Sequence, residues 1–276
     1  MKNSKSYALL QELSANPYDL TQDKALKGRF ESMKSSAIGI DYVYACQRLN
    51  EEVVDALQGL ADETDAVTQF SRMMGGENMN KIDGFECEDR QVLHTAMRDV
   101  FDELPEGFLS DQEAVNGAKA EIAKLKTFCD EIENGTILNG KGEKFNEMIL
   151  VGIGGSDLGP RAVYLALKAY AVEGRKVHFI SNVDPDDAAA VLNDADLERS
   201  LVCVISKSGS TLETLTNETL VASNFEAAGL NPKDHFICVT GKGSPMDNPD
   251  KYLRSFYMFD YVGGRYSVTS MVGAVM

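Results

Sequence analysis

The sequence predicts an α/β protein in which a doubly wound, five-stranded parallel sheet follows a mostly helical N-terminal region. Two observations lead there. After Lys144, apolar runs of four to six residues alternate with helix-like segments, the pattern of strands buried on both faces and joined by right-handed crossovers. Before that point apolar residues recur at three- and four-residue spacing instead, as in Ile122, Leu125, Phe128, Cys129 and Ile132. The expected division is therefore 1–144 and 145–276, with the helical region packed on the sheet, since residues 134–146 are too short for a linker.

In the first region the spacing predicts helices over 4–13, 21–34, 50–73, 88–103 and 111–133. Ser110 with Glu113 reads as a capping box that starts the last of them, and Asn134-Gly135 as its stop. Ile38 to Cys46 is β-branched and aromatic; a short strand and an irregular loop on the core both fit it. In the second region the strands are Met148–Ile153, Val177–Ser181, Leu201–Ser206, His235–Thr240 and Phe256–Phe259, and the helices 159–172, 185–194, 211–228 and 248–254. Asp184-Pro185-Asp186-Asp187 supplies an N-cap, a proline at the first helical position and carboxylates in the first turn.

The 276 residues carry 27 Lys and Arg against 43 Asp and Glu, a net charge of −16. Such a chain repels polyanions over most of its surface, which argues against a nucleic-acid binder or an anionic-membrane binder but allows a small anion in a locally positive cleft. Five scattered cysteines with no C-x-x-C pair fit reduced thiols and a cytoplasmic compartment. The N-terminal apolar stretch is too short for a signal peptide core, and no run of about 18 apolar residues predicts a transmembrane helix.

In a sheet of flavodoxin-like order 2-1-3-4-5, ligands bind beyond the carboxyl ends of strands one and three. The loops after those strands are also the most unusual in the sequence: Gly152-Ile153-Gly154-Gly155-Ser156-Asp157-Leu158-Gly159-Pro160 and Ser206-Lys207-Ser208-Gly209-Ser210-Thr211-Leu212-Glu213-Thr214. Glycines let backbone N–H groups approach a ligand, and helix N-termini add unpaired donors. Five hydroxyls and one ammonium in the second loop suit a phosphate monoester, although Ser210 and Glu213 also read as a capping box. The first loop lacks the third glycine of a dinucleotide fingerprint, and neither it nor Gly241-Lys242-Gly243-Ser244 makes a Walker loop, so nucleotide readings are weak. Its glycines alone are equally a tight turn. A third cluster, Val262-Gly263-Gly264-Arg265-Tyr266-Ser267-Val268-Thr269-Ser270, sets a guanidinium beside flexible backbone, where it could stabilise an oxyanion or merely face solvent. His178 and His235 open predicted strands and read as structural, and His94 as a capping or packing residue. No His or Cys pair at ligand spacing points to a metal.

Taken in order, the three clusters resemble the glucose-6-phosphate isomerase family. Arg-Gln-Val-Leu-His-Thr-Ala-Met-Arg at 90–98 and Phe-Ile-Ser-Asn-Val-Asp-Pro-Asp at 179–186 add to the likeness, which runs from about residue 30 to the last. The resemblance implies a sugar-isomerase α/β domain, no metal or organic cofactor, a phosphosugar substrate, a homodimer, and interconversion of glucose 6-phosphate with fructose 6-phosphate. It assigns Ser206, Lys207, Ser208 and Thr211 to a phosphate cradle shaped by Gly209 and Ser210, and substrate contacts to Gly155 and Ser156. Gly264 would lie against the sugar, Arg265 would stabilise an enediolate, and Glu213 would orient a histidine from elsewhere. Thr269 departs from the aromatic residue of most relatives.

Aldose–ketose isomerisation needs a general base and an acid for ring opening. In the family the base glutamate, the ring-opening histidine and a late lysine lie beyond the third cluster, so the sequence is expected to be an N-terminal portion that holds the phosphate site without the base. The alternative is a non-catalytic sugar-phosphate sensor, which would need the cradle but not Arg265.

Overall fold

A computed structural model describes residues 4–22, 26–87, 89–98 and 109–276. Its sheet is the predicted one. Strands β3 (Glu147–Gly152), β4 (Lys176–Ile180), β5 (Ser200–Ser206), β6 (Phe236–Thr240) and β7 (Arg254–Tyr257) lie in the order β4-β3-β5-β6-β7, every neighbouring pair parallel. This is 2-1-3-4-5 in the order of the sheet's own strands. The register sets Gly152 opposite Ile205 and Ser206 opposite Thr240, so β3, β5 and β6 end level and their following loops share one edge.

Alternation along the strands divides the core between two faces. Leu150, Cys203, Ile205, Ile237, Val239 and Phe256 pack with Val115, Ala118 and Phe128 of α5 (Gln112–Glu133) and Val272 of α9 (Met271–Ala274). On the other face Ile149, Val151, Val202, Val204 and Cys238 meet Ala188 of α7 (Pro185–Asp194) and Val221 and Phe225 of α8 (Leu212–Ala227). Fully burying a side chain of this size contributes about 1.5–3 kcal/mol, which explains why β5, buried at all seven positions, carries almost no polar residue before Ser206. Burial pushes the Cys238 thiol up to about 11 and the Cys203 thiol higher still, so both are inert packing groups.

Contacts divide the chain into two compact units, Met1–Ser71 and Arg72–Met276. In the first lie α1 (Lys5–Ser14), α2 (Leu26–Ser32), an antiparallel hairpin of β1 (Lys34–Ala37) and β2 (Ile40–Val43), and α3 (Glu51–Glu63), with α4 (Ala66–Met74) running across the division. Ile38 to Cys46 thus contributes one arm of a hairpin whose turn is Ile38-Gly39, both at positive φ. Arg29 ties the segment after it, donating from Nε to Ala45 O at 3.2 Å and from Nη2 to Leu49 O at 2.9 Å.

Several expected boundaries shift. The helix expected over 50–73 is two, broken where Asp65 takes φ +52. Of 21–34 only Leu26–Ser32 is α-helical, behind a 3₁₀ turn at Leu20–Gln22; residues 23–25 lie outside the described residues. Over 88–103 there is a 3₁₀ turn at Thr95–Arg98 after an irregular approach, and positions 88 and 99–103 lie outside the described residues. The N-cap of α5 is Asp111, accepting from Ala114 N at 2.9 Å, rather than Ser110. No helix forms over 248–254, where Asn248 instead caps a turn through Asp250 N at 2.9 Å, and the last strand starts two residues early. Asp184 and Pro185 start α7 as expected, and Asn134 with Gly135 at φ +79 ends α5.

Candidate functional site

The three loops singled out in the sequence meet at the carboxyl edge of the sheet. α6 (Gly155–Leu167) follows β3 with Gly154 as N-cap at φ 59, and α8 follows β5 with Thr211 as N-cap; glycine has no side chain to cap with, and that of Thr211 does not bond the helix backbone. The capping-box reading of Ser210 and Glu213 is therefore replaced. Thr211 Oγ1 instead lies 3.0 Å from Ser206 Oγ, at the buried end of β5, while Ser208 Oγ accepts from both Ser210 N (3.2 Å) and Ser210 Oγ (3.1 Å). Residues of both helix N-termini, Ser156 and Thr211, thus line one cleft with the side chains of Ser206 and Ser208, an arrangement suited to an anion.

Backbone packing holds the loops together. A Cβ on Gly155 would stand 2.1 Å from Gly264 O, so only glycine lets the first and third loops touch there. Ser267 Oγ donates to Gly264 O at 2.6 Å beside this contact. Gly209, at φ +65, lets the second loop lie on Ser244, and Thr240 Oγ1 donates to Ser206 O at 2.7 Å. The Gly241-Lys242-Gly243-Ser244 turn is in this way a support for the second loop.

Between the loops is a cleft of about 490 Å³ lined by Arg90, Ile153, Ser156, Ile205, Ser206, Lys207, Ser208, Thr211, Thr214, Asp260 and Gly264. Of the residues proposed from sequence, Ser156, Ser206, Lys207, Ser208, Thr211 and Gly264 line it, and Gly155, Gly209 and Ser210 shape its walls. Glu213 is exposed in the first turn of α8, and Arg265 is exposed at the start of the 3₁₀ turn Gly264–Thr269, outside the lining. The Lys207 ammonium reaches across to the third loop, donating to Asp260 O at 2.6 Å and Val262 O at 3.0 Å, 3.3 Å from Asp260 Oδ1.

Sequence reasoning missed Arg90 and Asp260. Arg90 Nη1 donates to Asp260 Oδ1 at 3.0 Å across 170 positions of sequence, a pairing that no local pattern reveals. The segment that brings Arg90 also runs alongside the third loop, with Leu93 N donating to Tyr261 O at 3.2 Å and Gly263 N to His94 Nε2 at 2.8 Å. Burial, with the cations of Lys207 and Arg90, holds His94 below the ordinary histidine value, and its accepting Nε2 is unprotonated. His94 is thus a packing residue of the loop. His178 and His235 are structural too: His178 Nε2 lies 3.0 Å from Glu147 Oε2, and His235 Nδ1 is 3.0 Å from Ser200 O.

An apolar groove of about 250 Å³ lies at the opposite end of the strands, between α5 and Phe145, Met148, Val177 and Met276. Its charged rim is internally paired, Arg175 with Glu133 and Lys176 with Glu147. It offers no convergent donors. Among the described residues, no three His, Cys, Asp or Glu side chains gather at metal-binding spacing, and no helix is long and apolar enough to cross a membrane.

The Phosphoglucose isomerase family profile matches residues 43–276, which takes in all three loops and both cleft cations. The chain belongs to that family. It is 48% identical over 273 residues to the glucose-6-phosphate isomerase of Desulfotalea psychrophila, covering 98% of this chain and 50% of that one. With the glucose-6-phosphate isomerase of Protochlamydia amoebophila it shares 48% identity, over 97% of this chain and 48% of the other. The crystal structure of a glucose-6-phosphate isomerase from Chlamydia trachomatis superposes with a TM-score of 0.88 at 39% identity, covering 99% of this chain and 51% of that one. The chain therefore spans about half the length of the relatives it matches.

Proposed function

We propose that this chain is the phosphate-binding half of an aldose–ketose isomerase that interconverts glucose 6-phosphate and fructose 6-phosphate through an enediolate. One observation carries the reading. Ser206, Ser208 and Thr211 line one cleft with Ser156, beside the N-termini of α6 and α8, neither of which has a side-chain cap. A phosphate monoester offers acceptors to these hydroxyls and to the first N–H groups of α8. Family membership and the identities near one half support the same substrate class.

In this reading the phosphate sits on Ser206, Ser208 and Thr211 with the first backbone N–H groups of α8, and Gly209 and Ser210 give the loop its shape. Lys207 adds positive charge at the rim. Ser156 and the backbone of Gly155 and Gly264 hold the sugar, whose reacting carbons lie toward the third loop. Arg265 turns in from its exposed position to meet charge that develops on the enediolate oxygen, and Glu213 orients a group outside the cleft. Proton transfer between adjacent carbons needs a general base; we place it in the half of the relatives' length that this chain does not span. A cytoplasmic homodimer completes the proposal, in keeping with the free cysteines.

Calorimetric titration of this chain with fructose 6-phosphate tests the reading. Saturable binding, weakened about tenfold by Ser206→Ala or Thr211→Val, is the expected result. Binding that ignores both substitutions would place the ligand elsewhere.

A further inference from the structure

We propose that Arg90 is a further phosphate-binding residue of this cleft, held in place by Asp260 as a resident counter-ion that the bound phosphate displaces. The inference rests on the phosphate reading above and extends it to a residue outside the three glycine-containing loops.

A carboxylate is an odd member of a cleft lined by hydroxyls and helix N-termini, since it opposes an anionic ligand. Asp260 is tolerated because it is paired twice, with Arg90 Nη1 at 3.0 Å and Lys207 Nζ at 3.3 Å. The two cations are not equivalent. An ammonium has three protons, and Lys207 directs two of them at the carbonyls of Asp260 and Val262. It serves the loop first. The carboxylate that Arg90 meets is 77% exposed, and an ion pair with one end in water contributes little net stability. Exchanging that carboxylate for a phosphate dianion sets two negative charges beside the guanidinium in place of one.

Arg90 is also well placed to make the exchange. Its backbone N donates to Asn80 Oδ1 at 3.0 Å, and the residues after it are tied to the third loop through Leu93 and His94. The side chain is only 24% exposed. A short rotation on a fixed backbone keeps the guanidinium in the cleft, where its planar fork matches two phosphate oxygens at once.

The test is titration of inorganic phosphate, then fructose 6-phosphate, into this chain and its Arg90→Gln and Asp260→Asn variants at fixed ionic strength, with each fold checked by thermal melting. Arg90→Gln is expected to weaken both ligands about tenfold or more. Asp260→Asn is expected to tighten both, because the competing charge is gone. Unchanged affinity in Arg90→Gln, or equal weakening in both variants, overturns the proposal, the second result marking the pair as structural. If Arg90→Gln melts early, Arg90→Lys replaces it; loss of the fork with retention of charge should still weaken binding, and unchanged affinity again overturns the proposal. Wild-type binding that falls with Ser206→Ala but not with Arg90→Gln removes only Arg90, whereas no wild-type binding of either ligand removes the phosphate reading as well.

Discussion

Gly155 shows how much of the site rests on a missing side chain. Its Cα lies so close to Gly264 O that alanine must push the first and third loops apart. Overpacking of this kind costs about 1–3 kcal/mol, a fall in melting temperature of several degrees for a chain this long. Gly155→Ala is therefore expected to melt early and lose fructose 6-phosphate binding together; normal binding in that variant would mean that the loops need not touch. Glu147 carries a different test. Burial raises its pKa, but the Asp196 N–H, His178 and Lys176 outweigh burial and hold it below the reference 4.5. Because the folded value is the depressed one, the stability it contributes is complete above 4.5 and is lost as pH falls through the folded value. Glu147→Gln should flatten the fall in melting temperature below about pH 5; an unchanged slope would assign that fall to other carboxylates. At this scale glycines and hydroxyls are legible in sequence because their chemistry is local. Arg90 and Asp260 are not, since their meaning comes from a contact across 170 positions.

Among the elements, the parallel strands were readable because strands buried on both faces must be continuously apolar, as β5 is. Helices were readable where a cap marked them, as at Asp184 and Pro185. The failures share a cause. Residues 89–94 have helical composition, yet the Leu93 N–H donates to Tyr261 O, which takes it out of an i→i−4 ladder, while the His94 ring accepts from Gly263 N. Tertiary pairing overrides propensity there. Consequently His94→Phe, which keeps a ring against Tyr266 but removes the acceptor, should lower the exchange protection of the Gly263 amide at least tenfold. In the parent chain acid should do the same: the folded pKa of His94 is depressed from 6.5, so its contribution is present above that value and is lost as pH falls below it. Equal protection at pH 7.5 and 5.5 would show that another contact holds the loop.

At the scale of the molecule, the division at Ser71 and Arg72 leaves every residue of the cleft, from Arg90 to Gly264, in the second unit. That unit also contains the whole parallel sheet, both of its buried faces and the helices that cover them. A unit with its own core folds by itself when the core is large enough, and about 200 residues suffices. Residues 72–276 expressed alone are therefore expected to melt cooperatively and to bind fructose 6-phosphate within about threefold of the full chain. The alternative result is equally informative: a fragment that folds but does not bind would show that the first unit, with its hairpin and Arg29-tied turn, acts on the cleft. The net charge of −16 makes the comparison sharper. A phosphate dianion approaches this chain against a repulsive field, which at about 0.15 M salt is screened within about 8 Å, so affinity is decided by groups in the cleft. Removing residues 1–71 takes none of those groups away.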